Sequence, residues 1–287
     1  MKTILSLSLT TILLLTPQWS SGADLADLQT GKRGIVLIAG KLAPEVNQQM
    51  LALAKSTELT IYFQSPDAAT VLAVRKAADA TRDGELICGQ TWDLATSNMP
   101  YVIGVHRQPK DGCQTWSLTT VGCLSLIGMN EDGLSMGTTN VRTTDAGAGV
   151  VYLSIIHKAL SASSIEAAIG CVTEAPRASG HFYYVAGPGG DATALECTGT
   201  RVHREDIRQG VYVHCNHCLA SENVVHEGNE PSPSSLNRMA RLHELFERNA
   251  PENDLDAAKG FLADTSGGLT AICRDDTEGI SSNGAVV

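Results

Sequence analysis

Gly89-Gln90-Thr91-Trp92-Asp93 is the stretch of this sequence that decides the fold. It ends the first of several short segments rich in β-forming residues, which predict strands at 85–92, 101–107, 114–120, 122–129 and 134–140. Helical periodicity follows at 152–160 and 164–172, then a hairpin at 181–197, a strand at 211–214, and helices at 238–248 and 255–264. This order of strands, helical pair, strands and helices predicts a layered α+β domain over residues 81–287.

Residues 24–80 differ from the rest of the chain. Apolar runs at 34–40 and 59–63 predict buried strands, and helical spacing predicts helices at 44–55 and 68–80, the second one begun by Ser65 and Pro66. Alternating strands and helices are typical of parallel α/β units. Residues 33–80 resemble the start of a Rossmann-like methyltransferase domain, which implies nucleotide or S-adenosylmethionine binding as an alternative function. They lack the Gly-x-Gly-x-x-Gly turn of that fold and offer only Ala39-Gly40-Lys41.

The first 23 residues have the composition of a signal peptide. Lys2 precedes an apolar run from Ile4 to Leu15, and small residues end the segment at Ser21-Gly22-Ala23. The apolar run is shorter than a membrane-spanning helix needs, and no other segment of the sequence comes close to that length. The sequence therefore predicts an exported protein, periplasmic or extracellular, with no membrane span in the mature chain.

Charge and cysteine content argue against two kinds of partner. A formal net charge of −10 opposes nucleic acid binding, which needs clustered lysine and arginine. Of the eight cysteines, only Cys215 and Cys218 lie close together, and they lack the second spaced pair that a zinc site requires. We therefore expect no metal and no cofactor. Export permits disulfides, but their pairing does not follow from the spacing of the cysteines.

Five segments, in order along the chain, resemble the acyl-coenzyme A:6-aminopenicillanic-acid acyltransferase family, whose members include peptidase-like amide hydrolases. The similar segments are Asp83-Gly84-Glu85 with Gly89-Gln90-Thr91-Trp92-Asp93, Gly128 to Ser135, Pro176-Arg177-Ala178-Ser179, Asn216-His217 and Ile272-Cys273-Arg274. The resemblance covers residues 80–287 and implies the four-layer α-β-β-α sandwich of N-terminal-nucleophile hydrolases. It also implies that the strand beginning at Asn283 continues beyond Val287, so that the domain is C-terminally truncated in this sequence.

The resemblance implies an activity as well as a fold. Enzymes of this class cut their own precursor before a Cys, Ser or Thr, and the freed α-amine then activates that side chain as a nucleophile. Attack on an amide or thioester of a small-molecule substrate gives an acyl-enzyme, which water or an amine resolves. By resemblance, Asp93 orients the nucleophile, and the side-chain amide of Asn216 stabilises the oxyanion. We predict that the neighbouring His217 is structural.

The nucleophile itself cannot be identified from the sequence. The resemblance places it within residues 67–80, which contain no cysteine; an ungapped alignment points to Arg75 and a looser one to Ala69-Thr70. Three interpretations stay open: Thr70 replaces the cysteine, Cys88 serves in a rearranged site, or residues 33–80 are foreign to the family, as in a gene fusion or a misassembled reading frame. We prefer the third. A catalytically inactive family member that acts as a binding protein is a further alternative function.

Two more residues are candidates for binding substrate. Arg177 can bind a carboxylate through two parallel hydrogen bonds, as can Arg274. Glu131 offers a carboxylate in the turn from Asn130 to Gly133. A structural ion pair for each arginine and a turn-forming role for Glu131 are the simpler interpretations.

Overall fold

The structure of this chain is a computed structural model that describes residues 86–98, 100–208 and 210–274 in full, and five further strands by their backbone. These strands are β1 (Thr11–Leu15), β2 (Gly34–Ala39), β3 (Leu59–Gln64), β4 (Ala69–Val74) and β14 (Ile280–Val286). The chain divides into two compact units. The first comprises Met1–Pro66, Tyr101–Ile103 and Thr119–Leu124, and the second comprises Asp67–Pro100, Gly104–Leu118 and Ser125–Val287.

The first unit contains a parallel sheet of three strands in the order β1-β2-β3. The strands predicted at 34–40 and 59–63, and their parallel arrangement, are thereby confirmed. The helix predicted at 44–55 lies outside the described residues, and nucleotide binding by this segment stays a prediction. Strand β1 falls within the segment predicted to be a signal peptide, and that assignment also stays a prediction.

Two antiparallel sheets form the centre of the fold. The larger one contains β6 (Val102–Arg107), β7 (Thr115–Thr120), β8 (Ile127–Asn130), β9 (Ser135–Asn140), β10 (His181–Ala186), β11 (Ala192–Cys197) and β12 (Val202–Ile207). Its seven strands have the order β12-β11-β10-β9-β8-β7-β6, so strands that follow one another in sequence are neighbours. The smaller sheet adds β5 (Ile87–Ala95) and β13 (Val211–His214) to two strands already named, in the order β13-β4-β5-β14.

Helices cover the outer faces of both sheets. They are α1 (Tyr152–Leu160), α2 (Ile165–Thr173), the single turn α3 (Ser221–Val224), α4 (Pro233–Asn249) and α5 (Leu255–Leu262), and two 3-10 turns occupy Thr96–Tyr101 and Gly268–Thr270. No helix within the described residues is long and apolar enough to cross a membrane. The predicted helix at 152–160 is confirmed at both ends, and the Ser164 side chain caps α2 by accepting from the Ala167 N–H at 3.2 Å.

Three apolar clusters lie between the four layers of the fold, one at each contact between neighbouring layers. The first lies between α1 and α2 and the seven-stranded sheet, the second between the two sheets, and the third between the four-stranded sheet and α4 and α5. Alternation along the strands supplies the contacts, because Tyr183 packs in the first cluster and its neighbour Tyr184 in the second. Ile87 and Cys88 likewise divide between the third and second clusters. The predicted four-layer α-β-β-α sandwich is therefore confirmed.

The helix predicted at 68–80 is wrong for residues 69–74, which form strand β4. The alanines of this segment favour a helix, but Thr70, Val71 and Val74 are β-branched and favour a strand. Strand β4 pairs antiparallel with β13 on one side and with β5 on the other, so tertiary pairing overrides the local preference. The domain boundary predicted at residue 80 stays a prediction, whereas the compact units divide between Pro66 and Asp67.

Two smaller differences have simple causes. Helix α4 begins at Pro233 with Ser232 as its cap, ahead of the predicted start, because proline fits the first helical position. Strand β12 was not predicted, because His203 to Asp206 are all polar and the strand therefore lacks alternating apolar and polar residues. Its charged residues are typical of an edge strand, which is its position in the sheet.

Candidate active site

Asp93 is a buried carboxylate near the end of β5. It is 1% exposed, and its Oδ2 accepts from Arg274, at 2.5 Å from Nη2 and 3.2 Å from Nε. Arg274 lies two residues after Ile272, which packs between the four-stranded sheet and helices α4 and α5. The packing of Ile272 therefore positions Arg274 next to β5. A buried carboxylate needs such a partner because taking an ion out of water is costly. Two of the family-like segments, at opposite ends of the domain, thus meet at one ion pair.

Three polar groups of Asn216 make hydrogen bonds in the turn that follows β13. Its backbone N–H donates to Ser235 Oγ at 2.8 Å, and its Nδ2 donates to the Asn140 carbonyl at 2.9 Å. Its Oδ1 accepts from Arg238 Nη2 at 2.7 Å. Ser235 and Arg238 are 0% and 1% exposed, so the asparagine is held from the helix layer by two buried side chains.

Strand register places Asp93 and Asn216 near the same end of the four-stranded sheet, the end at which β4 begins. Strand β4 pairs Val71 with His214 of β13 on one side, and Ala69 with Trp92 of β5 on the other. Strand β13 ends at His214, so Asn216 lies two residues past the partner of Val71, and Asp93 lies one residue past the partner of Ala69.

Thr91 adds an unsatisfied hydroxyl to this region. It pairs with Thr70 across β4 and β5, and it lies two residues from Asp93, so the two side chains share a face of β5. Thr91 is 2% exposed, and its Oγ1 has no hydrogen-bond partner in the described part of the chain. An unpartnered buried hydroxyl costs roughly 1–3 kcal/mol. Such a group calls for an explanation, and a role in a functional site would supply one.

Gln90, in the centre of the Gly-Gln-Thr-Trp-Asp stretch, ties the two sheets together. It is 1% exposed, and its Oε1 accepts from the Thr138 N–H of β9 at 2.8 Å. Gly137 is needed opposite it, since a Cβ there would overlap both Gln90 Oε1 and the Tyr184 ring. The structural role of this glutamine was not predicted from the sequence.

Glu196 on β11 is a second residue that sequence reasoning missed. It is 2% exposed and accepts from Asn223 Nδ2 at 2.9 Å and from the backbone N–H groups of Leu219 and Ala220 at 2.5 and 3.2 Å, and it lies 3.1 Å from His214 Nε2. Burial alone would raise its pKa, but these donors together hold the pKa below its usual value. The only signal in the sequence was one carboxylate inside an otherwise uncharged strand.

His217 has surroundings that fit the structural role predicted for it. It is 4% exposed, and its Nδ1 lies 2.7 Å from Ser235 Oγ. Burial is the largest influence that lowers its pKa, followed by the nearby His214. The ring therefore anchors the Asn216 turn to α4.

Comparison with known proteins gives the family. The model of the family described as acyl-coenzyme A:6-aminopenicillanic acid acyl-transferase matches residues 80–285, which is well over half of the chain. The chain belongs to this acyl-transferase family. Its expected chemistry, hydrolysis or transfer at amide bonds, is that of the family.

Solved structures with a similar arrangement include a mutant of conjugated bile acid hydrolase from Clostridium perfringens. It is 15% identical to this chain with a TM-score of 0.45, and the match covers 63% of this chain and 72% of the other. Penicillin V acylase from Agrobacterium tumefaciens is 12% identical with a TM-score of 0.47, covering 76% of this chain and 79% of the other.

Cys88 is poorly placed to be the nucleophile of this acyl-transferase family member. It is 2% exposed and packs between the two sheets, among residues that include Phe182 and Tyr184. Burial raises the pKa of its thiol to about 12, whereas a nucleophilic cysteine needs to be a thiolate. No group of three or more metal-binding side chains in the described residues could hold a metal ion.

Arg177 and Glu131 lie in structural positions. Arg177 is 7% exposed and donates to the carbonyls of Val172 at 2.9 Å, Thr198 at 3.1 Å and Arg201 at 3.2 Å, which ties the end of α2 to the loop after β11. Glu131 accepts from Gln114 at the backbone (2.9 Å) and at the side chain (3.2 Å). No described contact joins either residue to Asp93 or Asn216, and we leave both out of the proposed site.

Proposed function

We propose that this protein hydrolyses a small-molecule amide, or transfers its acyl group, through a covalent acyl-enzyme formed at Thr70. The observation that carries the proposal is the register of β4, whose beginning pairs with β5 next to Asp93 and with the end of β13, two residues before Asn216. Thr70 is the hydroxyl-bearing residue at this place, and threonine is among the nucleophiles that a freed α-amine can activate. A thioester is the alternative substrate for the same site.

The proposed reaction begins with cleavage of the bond between Ala69 and Thr70. The freed α-amine of Thr70 takes the proton of its own Oγ, which attacks the carbonyl carbon of the substrate. The C–N bond then breaks, the amine leaves with the proton, and the acyl group stays on Thr70 as an ester. Water or an acceptor amine resolves this ester. Asp93 orients the α-amine through its negative charge, and Asn216 Nδ2 donates to the oxyanion.

An inactive relative that binds amide or acyl ligands is the second candidate. It is favoured by the absence of cysteine from residues 67–80, together with the burial of Cys88. The two candidates differ in a property that is simple to measure. An active enzyme of this class begins with its nucleophile, so the mature chain should begin with Thr70.

The test combines the mass of the mature protein with the turnover of chromogenic acyl-p-nitroanilides of varied chain length. We expect an N-terminus at Thr70, retained activity in Thr70→Ser, and no cleavage or turnover in Thr70→Ala. Thr70→Cys should be cleaved, active and sensitive to iodoacetamide. Leu72→Cys is the matched control, because position 72 lies farther along the same strand, opposite Gly89.

The outcomes separate the candidates. A wild-type chain that stays intact and inactive, with an active Thr70→Cys variant, identifies an inactive relative with a competent scaffold. Activity in Ala69→Cys but not in Thr70→Cys would move the nucleophile by one position and overturn Thr70. Intact, inactive protein in every variant would remove the proposed mechanism altogether.

We also propose that the protein is exported, on the evidence of Lys2, the apolar run from Ile4 to Leu15 and the small residues at Ser21-Gly22-Ala23. Residues 1–23 fused to a reporter enzyme should carry it out of the cytoplasm, and replacing Leu13 and Leu14 by arginine should abolish this. A reporter that stays in the cytoplasm with the unaltered segment contradicts the proposal.

A further inference from the structure

We propose that Arg238 is a positioning residue for acyl transfer, which orients and polarises the side-chain amide of Asn216; the inference rests on the function proposed above. Arg238 lies in α4, is 1% exposed, and lies outside every segment that the sequence marked as functional. Its Nη2 donates to Asn216 Oδ1 at 2.7 Å, and its Nε donates to Ser234 Oγ at 3.3 Å. The guanidinium is thereby fixed in place next to the amide.

The contact decides which way the amide faces. A guanidinium has only donors, so the group opposite it must be the amide oxygen. The Asn216 NH2 group then faces the carbonyl of Asn140, 2.9 Å away at the end of β9. The reversed amide would set N–H against N–H at Arg238 and oxygen against oxygen at Asn140. Both contacts select the same orientation.

This orientation leaves one hydrogen of the amide available. Nδ2 carries two hydrogens, of which one donates to Asn140, and no residue in the described part of the chain accepts the second. Asn216 lies two residues past His214, the last residue of β13, which pairs with Val71 near the start of β4, where the proposed function puts the attack on the acyl group. The second hydrogen is therefore in a position to donate to an oxyanion formed there.

The charge of Arg238 strengthens that donor. A cation bonded to Oδ1 draws electron density from the amide and makes its N–H groups more positive, and hydrogen bonds that involve an ion are about twice as strong as neutral ones. Burial enhances this effect because the local dielectric constant is low. Ser235 lies on the same face of α4 and accepts from the Asn216 backbone N–H at 2.8 Å, so main chain and side chain are held by one helix.

Nuclear magnetic resonance of the full chain, labelled in its asparagine side chains, tests the orientation without requiring turnover. The Asn216 NH2 pair is identified as the pair that Asn216→Ala removes. In the wild type we expect this pair to exchange slowly with water, and Arg238→Met should speed its exchange by roughly 10-fold or more, as expected when a structural hydrogen bond is lost. Arg241→Met is the control, since Arg241 lies one turn further along α4 and pairs with Asp264 at 2.7 Å instead.

Arg238→Lys covers the case in which the methionine variant does not fold, because it keeps the charge but loses the fork of donors. It should give an exchange rate between those of wild type and Arg238→Met. An Asn216 pair that exchanges as fast in the wild type as exposed asparagines, or one that neither Arg238 variant alters, overturns the inference.

Kinetics give the second measurement where the enzyme turns over. Arg238→Lys should lower kcat roughly 10- to 100-fold, somewhat less than the loss of a whole oxyanion donor, with KM nearly unchanged. In an Asn216→Ala background the same change should have no further effect, because the arginine acts through the asparagine. Equal losses in both backgrounds would overturn the positioning role. Absence of turnover in all variants removes the proposed function alone, since the exchange measurement stands by itself.

Discussion

Replacing Glu196 by glutamine removes the charge through which β11 of the seven-stranded sheet binds the segment that follows Asn216. The carboxylate accepts from the Leu219 and Ala220 backbone N–H groups and from Asn223 Nδ2, so each of its oxygens faces a fixed donor. Glutamine has the same shape but presents an NH2 group where only acceptors fit. At least one buried donor must then face another donor.

The expected cost follows from these contacts. A hydrogen bond to a charged group contributes about 1.5–3 kcal/mol, and a buried donor left unsatisfied costs about 1–3 kcal/mol. One lost bond with one new donor conflict therefore gives roughly 3–5 kcal/mol, the range found when one partner of a buried ion pair is removed. That is a large part of the 5–15 kcal/mol, approximately, by which domains are stable.

Urea unfolding at neutral pH measures the difference. Glu222→Gln is the matched control, because Glu222 begins the next helical turn and pairs with His203 at 2.6 Å but is exposed. The control should unfold near the wild-type midpoint. A free energy of unfolding for Glu196→Gln within about 1 kcal/mol of wild type, the average effect of any substitution, would refute the reasoning.

Acid should reduce the difference between wild type and the Glu196→Gln variant. The folded-state pKa of Glu196 is lowered, so its contribution to stability is present above the unfolded-state pKa and is lost as pH falls through the folded-state pKa. Wild type should therefore lose stability more steeply than Glu196→Gln below about pH 4.3, the ordinary pKa of glutamate. Parallel stability curves in acid would show that Glu196 carries no such linkage.

Three further substitutions or modifications test other parts of the fold. Asp93→Asn should lower the free energy of unfolding by roughly 3 kcal/mol, because it removes the carboxylate paired with Arg274; urea unfolding that is unchanged counts against this ion pair. Cys88, with its thiol pKa raised to about 12, should resist iodoacetamide in the folded protein and react only after unfolding, as peptide mass spectrometry can show. Asn130→Ala should cost about 2–4 kcal/mol in thermal unfolding, since its side chain bonds four backbone groups.

Local patterns predicted the elements whose structure is decided locally. Helix α1 was predicted at both ends because its apolar residues recur at helical spacing and its neighbours do not continue the pattern. The turn at Asn130 to Gly133 was predicted because asparagine and glycine tolerate the left-handed conformation that such turns need. Gly133 adopts this conformation, with a φ of 79°. These features depend on residues a few positions apart.

Long-range contacts explain what the sequence did not show. Glu196, Ser235 and Arg238 act on the Asn216 turn from another strand and another helix, and their local sequence does not show which turn they contact. Strand β4 was mistaken for a helix because its stability comes from pairing with β5 and β13. Such contacts become visible only when the layers are assembled.

Strand pairing bears on the two alignments that the sequence left open, and the position of the nucleophile stays a proposal. Counting back from Asp93 without gaps leads to Arg75, whereas the register pairs Val74 with Ile87 and Ala69 with Trp92. Arg75 therefore lies past the end of β4 that is remote from Asp93, and Ala69-Thr70 lies at the near end. Insertions between two strands change the count of residues but leave the register of the strands intact. Thr70, near the end of β4 that adjoins Asp93, is therefore the position at which we propose to test a nucleophile.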